Sequence, residues 1–172
     1  LNGRSEFIEK HFETYADLSE RGYHVATMDW RGQGLSGRMT SNPHKDHQAS
    51  FDLRRADLSA FLKTVVKPKM PGPYYVMGHS LGAHMIFHNL HDQPGFFEKA
   101  ICLAPMMGIA QVPFPEWMMR VWENTMCGLG MGHFYPPGQG NYGPKRRSLE
   151  RADYLTSDII RYRDEEAAVD LN

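Results

Sequence analysis

The chain has 172 residues, and its 19 Lys and Arg nearly balance its 20 Asp and Glu, which gives a formal net charge of -1. This balance supplies no basic field for a nucleic-acid backbone and argues against nucleic-acid partners. The two cysteines, Cys102 and Cys127, are too few for a disulfide framework and too far apart for a CxxC metal or redox site. No apolar run approaches the roughly 18 residues of a membrane span.

Apolar residues spaced three or four apart predict three helices in the first part of the chain. The segments with this spacing are Ser5–Arg21, Phe51–Val66 and Leu81–Leu90. Pro68 should prevent the second helix from continuing. A last helix is expected to begin near Ser157-Asp158, because either side chain can accept an unpaired backbone N–H.

Three short segments predict strands: Tyr23–Met28, Tyr74–Met77 and Ala100–Ala104. The second and third are continuously apolar, as strands buried on both faces of a parallel sheet are. Strand, helix, strand, helix, strand is the pattern of a doubly wound α/β fold. The composition changes after Pro105, since six of the eleven methionines lie within Met106–Met131.

A first glycine motif, Gly32–Gly37, matches G-x-G-x-x-G and follows a predicted strand. A dinucleotide site requires such a loop to open directly into a helix, whose N-terminal N–H groups hold the pyrophosphate. Here the loop runs into Arg38–Pro43, which starts no helix. We therefore interpret the motif as a plain loop and expect no nucleotide cofactor.

A second glycine motif, Gly78-His79-Ser80-Leu81-Gly82, matches G-x-S-x-G and lies between a predicted strand and a predicted helix. In this setting a strained turn exposes the serine hydroxyl at the carboxyl end of the sheet, at a cost of about 1 to 3 kcal/mol for a positive φ. Gly78 and Gly82 would remove Cβ atoms where strand and helix nearly touch. Ser80 is thus the candidate nucleophile, and the N–H of Leu81 is a candidate oxyanion donor. The alternative is a Gly-Ser turn without catalysis.

A second oxyanion donor should come from the loop after an earlier strand. Asn2-Gly3-Arg4 occupies that place before the first helix. Gly3 would let the backbone approach the substrate, and the N–H of Arg4 would be the donor. A simple strand-to-helix turn is the alternative interpretation.

Three motifs together, Asn2–Phe7, Asp29–Ser36 and Gly78–Gly82, resemble the α/β-hydrolase superfamily. The resemblance is closest to its bacterial lysophospholipase and monoacylglycerol-lipase branch, although relatives often carry His-Gly where this chain has Asn2-Gly3. Segments Tyr135–Pro144 and Leu155–Asp158 resemble the cap region of the same sequences.

The resemblance implies a mostly parallel sheet with helices on both faces and an α-helical cap insertion, truncated here at both ends. Residues 1–104 would belong to the hydrolase core and residues 105–172 to an incomplete cap. In this superfamily the catalytic serine precedes the acid, and the acid precedes the histidine. His133 is the only histidine after His91, and the aspartates Asp153, Asp158, Asp164 and Asp170 all follow it. That order is wrong, so we assign the triad's acid and histidine to no residue of this chain.

Three further groups of residues admit two interpretations each. His84, His88 and His91 have helical spacing that metal ligands use, but no HExxH pattern accompanies them, so we expect a polar helix face and no metal. The apolar residues of the cap-like region suit either acyl chains or the cap's own core; they are Phe114, Trp117, Met118, Val121, Trp122, Met126 and Met131. The basic residues Lys145, Arg146, Arg147 and Arg151 are interpreted as a solvated cluster rather than a headgroup site.

The expected function is hydrolysis of a small lipid ester, a lysophospholipid or a monoacylglycerol, by an acyl-enzyme mechanism on Ser80 with no cofactor. The resemblance implies a cytoplasmic protein with transient, peripheral contact at the inner membrane, and it sets no oligomeric state. We expect this chain alone to be inactive. The alternatives are a catalytically incompetent fragment or ligand-binding remnant, and a peptidase, thioesterase or haloperoxidase-like chemistry on the same fold.

Overall fold

A computed structural model describes residues 1–108, 114–135, 140–141, 156 and 158–169. Within these residues, a 3-10 turn at Ile8–His11 is followed by the helices α1 (Phe12–Glu20), α2 (Phe51–Phe61, with a helical extension), α3 (Leu81–Asp92), α4 (Glu116–Gly128) and α5 (Ile159–Val169). The basic cluster predicted from Lys145 to Arg151 lies outside the described residues, as does most of the Tyr135–Pro144 segment.

Helix α2 extends beyond its predicted end. A π-helical stretch, Leu62–Val66, leads into one more helical segment, Lys67–Lys69. Pro68 lies inside that last segment, which ends one residue later at Lys69. The prediction that Pro68 stops the helix is therefore wrong.

Helix α5 begins where the sequence predicted. Asp158 Oδ1 accepts hydrogen bonds from the N–H groups of Ile160 at 2.9 Å and Arg161 at 3.3 Å. A carboxylate at this position satisfies N–H groups that the first turn leaves unpaired. Ser157, the other predicted cap, lies outside the described residues.

The two strands of the described residues, β1 (Tyr75–His79) and β2 (Lys99–Leu103), form a parallel pair. Tyr75 lies opposite Lys99, and His79 lies opposite Leu103. Helix α3 connects the two strands and packs against both. The strand–helix–strand unit of the predicted α/β pattern is therefore present.

The prediction that both strands are buried on both faces is wrong for the described residues. Along β1, Val76 is buried, whereas Tyr75 and Met77 are 49% and 37% exposed. On β2, Ile101 and Leu103 are 51% and 48% exposed. Exposed and buried residues alternate along β1, whereas β2 has no buried residue. The described residues thus leave one face of the strand pair open, opposite the face that α3 covers.

The predicted strand Tyr23–Met28 is not a strand in the structure. A strand exists through hydrogen bonds to a neighbour, and this segment finds no partner strand among the described residues. Leu1, in contrast, bonds to β1 as a strand residue would: its amino group donates to Met77 O at 2.7 Å, and His79 N–H donates to its carbonyl at 3.1 Å.

The hydrophobic core lies between α2, α3 and the strand pair. Its buried members come from α2 and its π-helical extension, from α3, from β1, from the segment before α2 and from the turn before β2: Trp30, Leu58, Leu62, Val66, Val76, Leu81, Met85, Ile86 and Phe97. On α3, Met85 is fully buried, whereas Phe87 is 42% exposed.

The apolar residues of the cap-like region are mostly exposed. On α4, Trp117, Val121 and Trp122 are 67%, 58% and 50% exposed. The described residues thus give no support to the interpretation that they form a packed core of their own. None of the described helices is both long and apolar enough to cross a bilayer.

The open face and edge of β2 lead to a first prediction. Exposed apolar strand residues promote edge-to-edge association, so this chain produced alone should self-associate, and Ile101→Lys should raise its monomer fraction in size-exclusion chromatography with light scattering. Phe12→Lys is the control, because Phe12 is similarly exposed, at 57% against 51% for Ile101, but lies on α1. A monomeric unmodified chain with a cooperative thermal transition would contradict the prediction.

Candidate active site

Ser80 occupies the turn between β1 and α3 with φ +50° and ψ −110°. This conformation is strained for a residue that carries a Cβ. The turn is fixed through its backbone: Ser80 N–H donates to Leu103 O at 2.9 Å, and Ser80 O accepts from Met106 N–H at 3.1 Å. The side chain is half-buried, and its Oγ has no hydrogen-bond partner among the described residues.

Gly78 and Gly82 lie where three segments touch. A Cβ on Gly78 would come within 2.7 Å of both the Gly82 carbonyl carbon and Ile86 Cδ1. A Cβ on Gly82 would overlap the Leu1 carbonyl, 2.6 Å from its carbon, and would lie 2.8 Å from Asn2 O. The glycines therefore allow β1, the start of α3 and the N-terminal loop to meet backbone to backbone.

Leu81 is the first residue of α3, and its side chain is 2% exposed within the core. The first N–H groups of a helix have no intrahelical acceptor. In the described part of the chain the Leu81 N–H has no other acceptor either, so it is available beside Ser80.

The N–H of Arg4 is flanked by two N–H groups that are already bonded. Gly3 N–H donates to Glu6 Oε2 at 2.5 Å, and Ser5 N–H donates to Gln33 Oε1 at 3.1 Å. Over the residues that the structure describes, Arg4 N–H has no acceptor. The loop thus leaves a donor available at Arg4, the residue that the sequence predicts as the second oxyanion donor.

Two buried side chains of the Asp29–Ser36 motif hold this loop from behind. The Trp30 indole N–H donates to Asn2 O at 2.8 Å. The Gln33 amide donates to Gly3 O at 2.9 Å and to Glu6 O at 3.0 Å. Trp30 is fully buried and Gln33 is 3% exposed. Sequence reasoning missed both roles, and the only signal was the presence of the motif itself.

Asp29 ties the first glycine motif to the start of the first helical turn. One carboxylate oxygen accepts from Ile8 N–H at 2.9 Å, and the other accepts from Leu35 N–H at 3.2 Å. Burial raises the pKa of Asp29, against the lowering effect of these two hydrogen bonds. A Cβ on Gly34 would overlap the carboxylate. Gly32–Gly37 forms turns with no helix after it until α2, as the loop interpretation predicted.

Glu6 places a buried carboxylate between the loop and β1. Besides Gly3 N–H, it contacts His79 Nδ1 at 3.1 Å, Lys10 Nζ at 3.3 Å and His11 Nε2 at 3.4 Å. Burial alone would raise the pKa of Glu6, but the hydrogen bonds from His11 and Gly3 and the charge of Lys10 outweigh it and hold the pKa well below its usual range.

The surroundings of Gly3 differ from the sequence expectation. A Cβ there would lie 2.8 Å from Glu6 Oε2 and 3.0 Å from His79 Nδ1. The absence of a side chain at Gly3 therefore makes room for Glu6 and His79 within the protein. The sequence had suggested room for a substrate.

The three histidines of α3 do not act as one group. His84 and His88 approach at 3.2 Å between their Nε2 atoms, and the Phe51 ring packs edge-on against His84. Burial and the neighbouring His88 lower the pKa of His84. His91 instead contacts Asp92 at 3.3 Å. The described residues contain no group of three or more His, Cys, Asp or Glu that could hold a metal ion.

Comparison with known proteins identifies the family. A protein-family model described as "Serine aminopeptidase, S33" matches residues 1–169. The chain belongs to the serine aminopeptidase S33 family. Membership in this α/β-hydrolase family confirms the fold class that the motifs predicted.

Curated relatives of this S33 member carry a more specific name. Lysophospholipase L2 of Escherichia coli strain K12 is 36% identical over 121 residues, which is 69% of this chain and 34% of that protein. Probable lysophospholipase L2 of Haemophilus influenzae is 29% identical over 143 residues, 83% of this chain and 44% of that protein. The chain thus spans between a third and a half of these relatives. No solved structure matches it significantly.

The buried amide of Gln33 generates a stability prediction. Gln33→Leu removes three hydrogen bonds and leaves the loop's backbone groups unpaired, at about 1 to 3 kcal/mol for each buried group. We expect the urea midpoint of the whole protein to fall sharply. Gln93→Leu is the control, since Gln93 is half-buried and makes one side-chain bond, to Ser59 Oγ at 3.2 Å. Equal effects of the two substitutions would contradict the assignment.

A second prediction concerns the close approach at Gly82. In Gly82→Ala the new methyl meets the backbone of Leu1 and Asn2, which cannot move like a flexible side chain. The variant should lose about 1 to 3 kcal/mol of unfolding free energy. Gly37→Ala should stay within about 0.5 kcal/mol of wild type, because nothing lies within 4 Å of a Cβ there. Similar urea curves for both variants would show that the loop does not pack on α3.

Proposed function

We propose that the whole protein is a serine hydrolase that cleaves carboxylic esters of lipids, of the lysophospholipase or monoacylglycerol-lipase type. Ser80 Oγ attacks the acyl carbonyl and forms an acyl-enzyme, which water then hydrolyses. The backbone N–H groups of Leu81 and Arg4 hold the oxyanion of each tetrahedral intermediate. Gly78 and Gly82 supply the space that this turn requires.

The conformation of Ser80 is the observation that carries this proposal. A serine held at φ +50° between a strand and a helix is the geometry from which α/β-hydrolases present a nucleophile. Two N–H groups without acceptors among the described residues support the oxyanion site: that of Leu81, which follows Ser80, and that of Arg4, in the loop that meets the start of α3 at Gly82. Each oxyanion donor of this kind is worth roughly 10² to 10³ in rate.

Activation of Ser80 requires a general base. No described histidine bonds to Ser80 Oγ. The superfamily order implies that the base and the acid that orients it come later than the cap region. In the proposed mechanism that histidine takes the Ser80 proton and returns it to the leaving alcohol. This chain produced alone should then be inactive.

The lipid character of the substrate rests on two supports. The curated relatives are named lysophospholipases. Helix α4 exposes large apolar side chains, among them Trp117, Val121 and Trp122, and such surfaces suit acyl chains. We include in the proposal a transient contact of this helix with a membrane surface, where a lysophospholipid would be collected.

A peptidase is the second candidate, because the family model is described as a serine aminopeptidase. The same serine and oxyanion donors would serve amide hydrolysis. A panel of a lysophospholipid, a monoacylglycerol and an aminoacyl p-nitroanilide, offered to the whole protein, separates the two. Preference for the anilide would replace the lipid-ester proposal and leave the role of Ser80 unchanged.

Substitution of the nucleophile tests the proposal. In the whole protein, Ser80→Ala should lower ester hydrolysis by at least about 10³-fold and abolish labelling by a fluorophosphonate, because Ser80 Oγ is the atom that forms the acyl-enzyme in the proposed mechanism. Ser41→Ala, at an exposed loop serine, should leave both unchanged. Undiminished hydrolysis in Ser80→Ala would overturn the assignment. A wild-type protein that is folded, inactive and unlabelled would favour the ligand-binding remnant.

A further inference from the structure

Glu6 contacts one residue in each of the two segments that are proposed to form the oxyanion site. Gly3, which directly precedes Arg4, donates its N–H to Glu6 Oε2 at 2.5 Å. His79, which directly precedes Ser80, places Nδ1 3.1 Å from Glu6 Oε1. One carboxylate therefore bridges two segments more than 70 residues apart in sequence.

The environment of Glu6 is built around a charged carboxylate. Only 7% of the residue is exposed, and burial of a carboxylate is costly unless hydrogen bonds and opposite charges compensate. Lys10 and His11 supply that compensation from the 3-10 turn. An ordinary surface glutamate needs no such set of partners.

We propose that Glu6 is a positioning residue of the oxyanion site: its carboxylate fixes the loop that carries the Arg4 N–H against the end of the strand that leads to Ser80. This inference rests on the function proposed above. Glu6 is buried and acts through Gly3 and His79, without touching the substrate. A donor must lie within about 0.5 Å of its productive position, and a misplacement of about 1 Å can cost roughly 10² in rate.

Other ionisable groups also face Glu6 and share in its electrostatics. Lys10 bridges it to Glu165 of α5 at 3.1 Å. Burial is the main cause of the raised pKa of Tyr15 on α1, and the negative charge of Glu6 adds to it. At the Leu1 amino group, burial lowers the pKa and the charge of Glu6 opposes that lowering. Glu6→Gln removes one charge from this group and keeps an acceptor oxygen for Gly3 N–H.

The sign of the pH effect follows from the lowered pKa of Glu6. Its stabilising contribution is full above the ordinary glutamate pKa of 4.5 and is lost progressively as pH falls below that value. The stability difference between wild type and Glu6→Gln should therefore be largest near pH 7 and shrink toward pH 3. The control Glu13→Gln, which breaks an exposed ion pair with Arg161, should show little change with pH.

The kinetic test uses Glu6→Ala and Glu6→Gln in the whole protein. Glu6→Ala should lower kcat by about 10²-fold with little change in KM, because the oxyanion donor acts in the transition state. Glu6→Gln should fall between Glu6→Ala and wild type, and Glu13→Gln should match wild type. A wild-type kcat in both Glu6 variants, or a raised KM with kcat unchanged, would overturn the proposal.

Amide hydrogen exchange tests the proposal without an activity assay. It is measured on Glu6→Gln, so it does not depend on the stability of Glu6→Ala. The peptide that covers residues 1–7 should exchange faster in Glu6→Gln than in wild type or Glu13→Gln, while α2 stays protected. Unchanged exchange there would count against Glu6 whether or not the protein is a hydrolase. If Ser80→Ala abolishes hydrolysis and both Glu6 variants keep full kcat, Glu6 fails alone and the proposed function stands.

Discussion

The backbone between Asn2 and Phe7 forms no helix and no sheet, yet much of it is buried. Buried N–H and C=O groups must find partners, and a segment without regular structure must find them on side chains. Here the Trp30 indole, the Gln33 amide and the Glu6 carboxylate supply them. The candidate site depends on this requirement, because side-chain partners fix the irregular loop, and the Arg4 N–H is left without an acceptor among the described residues.

The same requirement explains why three motifs distant in sequence form one unit. The loop receives hydrogen bonds from the first glycine motif on one side and lies against the start of α3 on the other, where Gly82 allows the backbones of Leu1 and Asn2 to approach. Strain at Ser80 is then held by bonds to Leu103 and Met106. Such strain persists only where the surrounding structure holds it in place. Here the bonds to Leu103 and Met106 hold the turn, and the loop packs against the start of α3 beside it.

The sequence predicts the elements around Ser80 well because their signals are local. Apolar spacing marks α2 and α3, and two glycines around a serine between strand and helix mark the turn. The prediction of a strand at Tyr23–Met28 is wrong because pairing is not a local property. The predicted burial of Ile101 and Leu103 is wrong for a similar reason, since burial depends on what covers the sheet. The roles of Gln33 and Glu6 leave no periodic trace, since each joins segments far apart in the chain.

The first glycine motif illustrates how one pattern serves two chemistries. In a dinucleotide site, glycines let a phosphate approach backbone N–H groups at a helix start. In this chain Gly34 makes room for an anion as well, but the anion is the protein's own Asp29, whose carboxylate accepts from Leu35 N–H. Its other oxygen accepts from Ile8 N–H and so anchors the turn before α1. The absence of a helix after the motif is what separates the two cases, because a carboxylate on the chain needs only a turn, whereas a free pyrophosphate needs the aligned N–H groups of a helix.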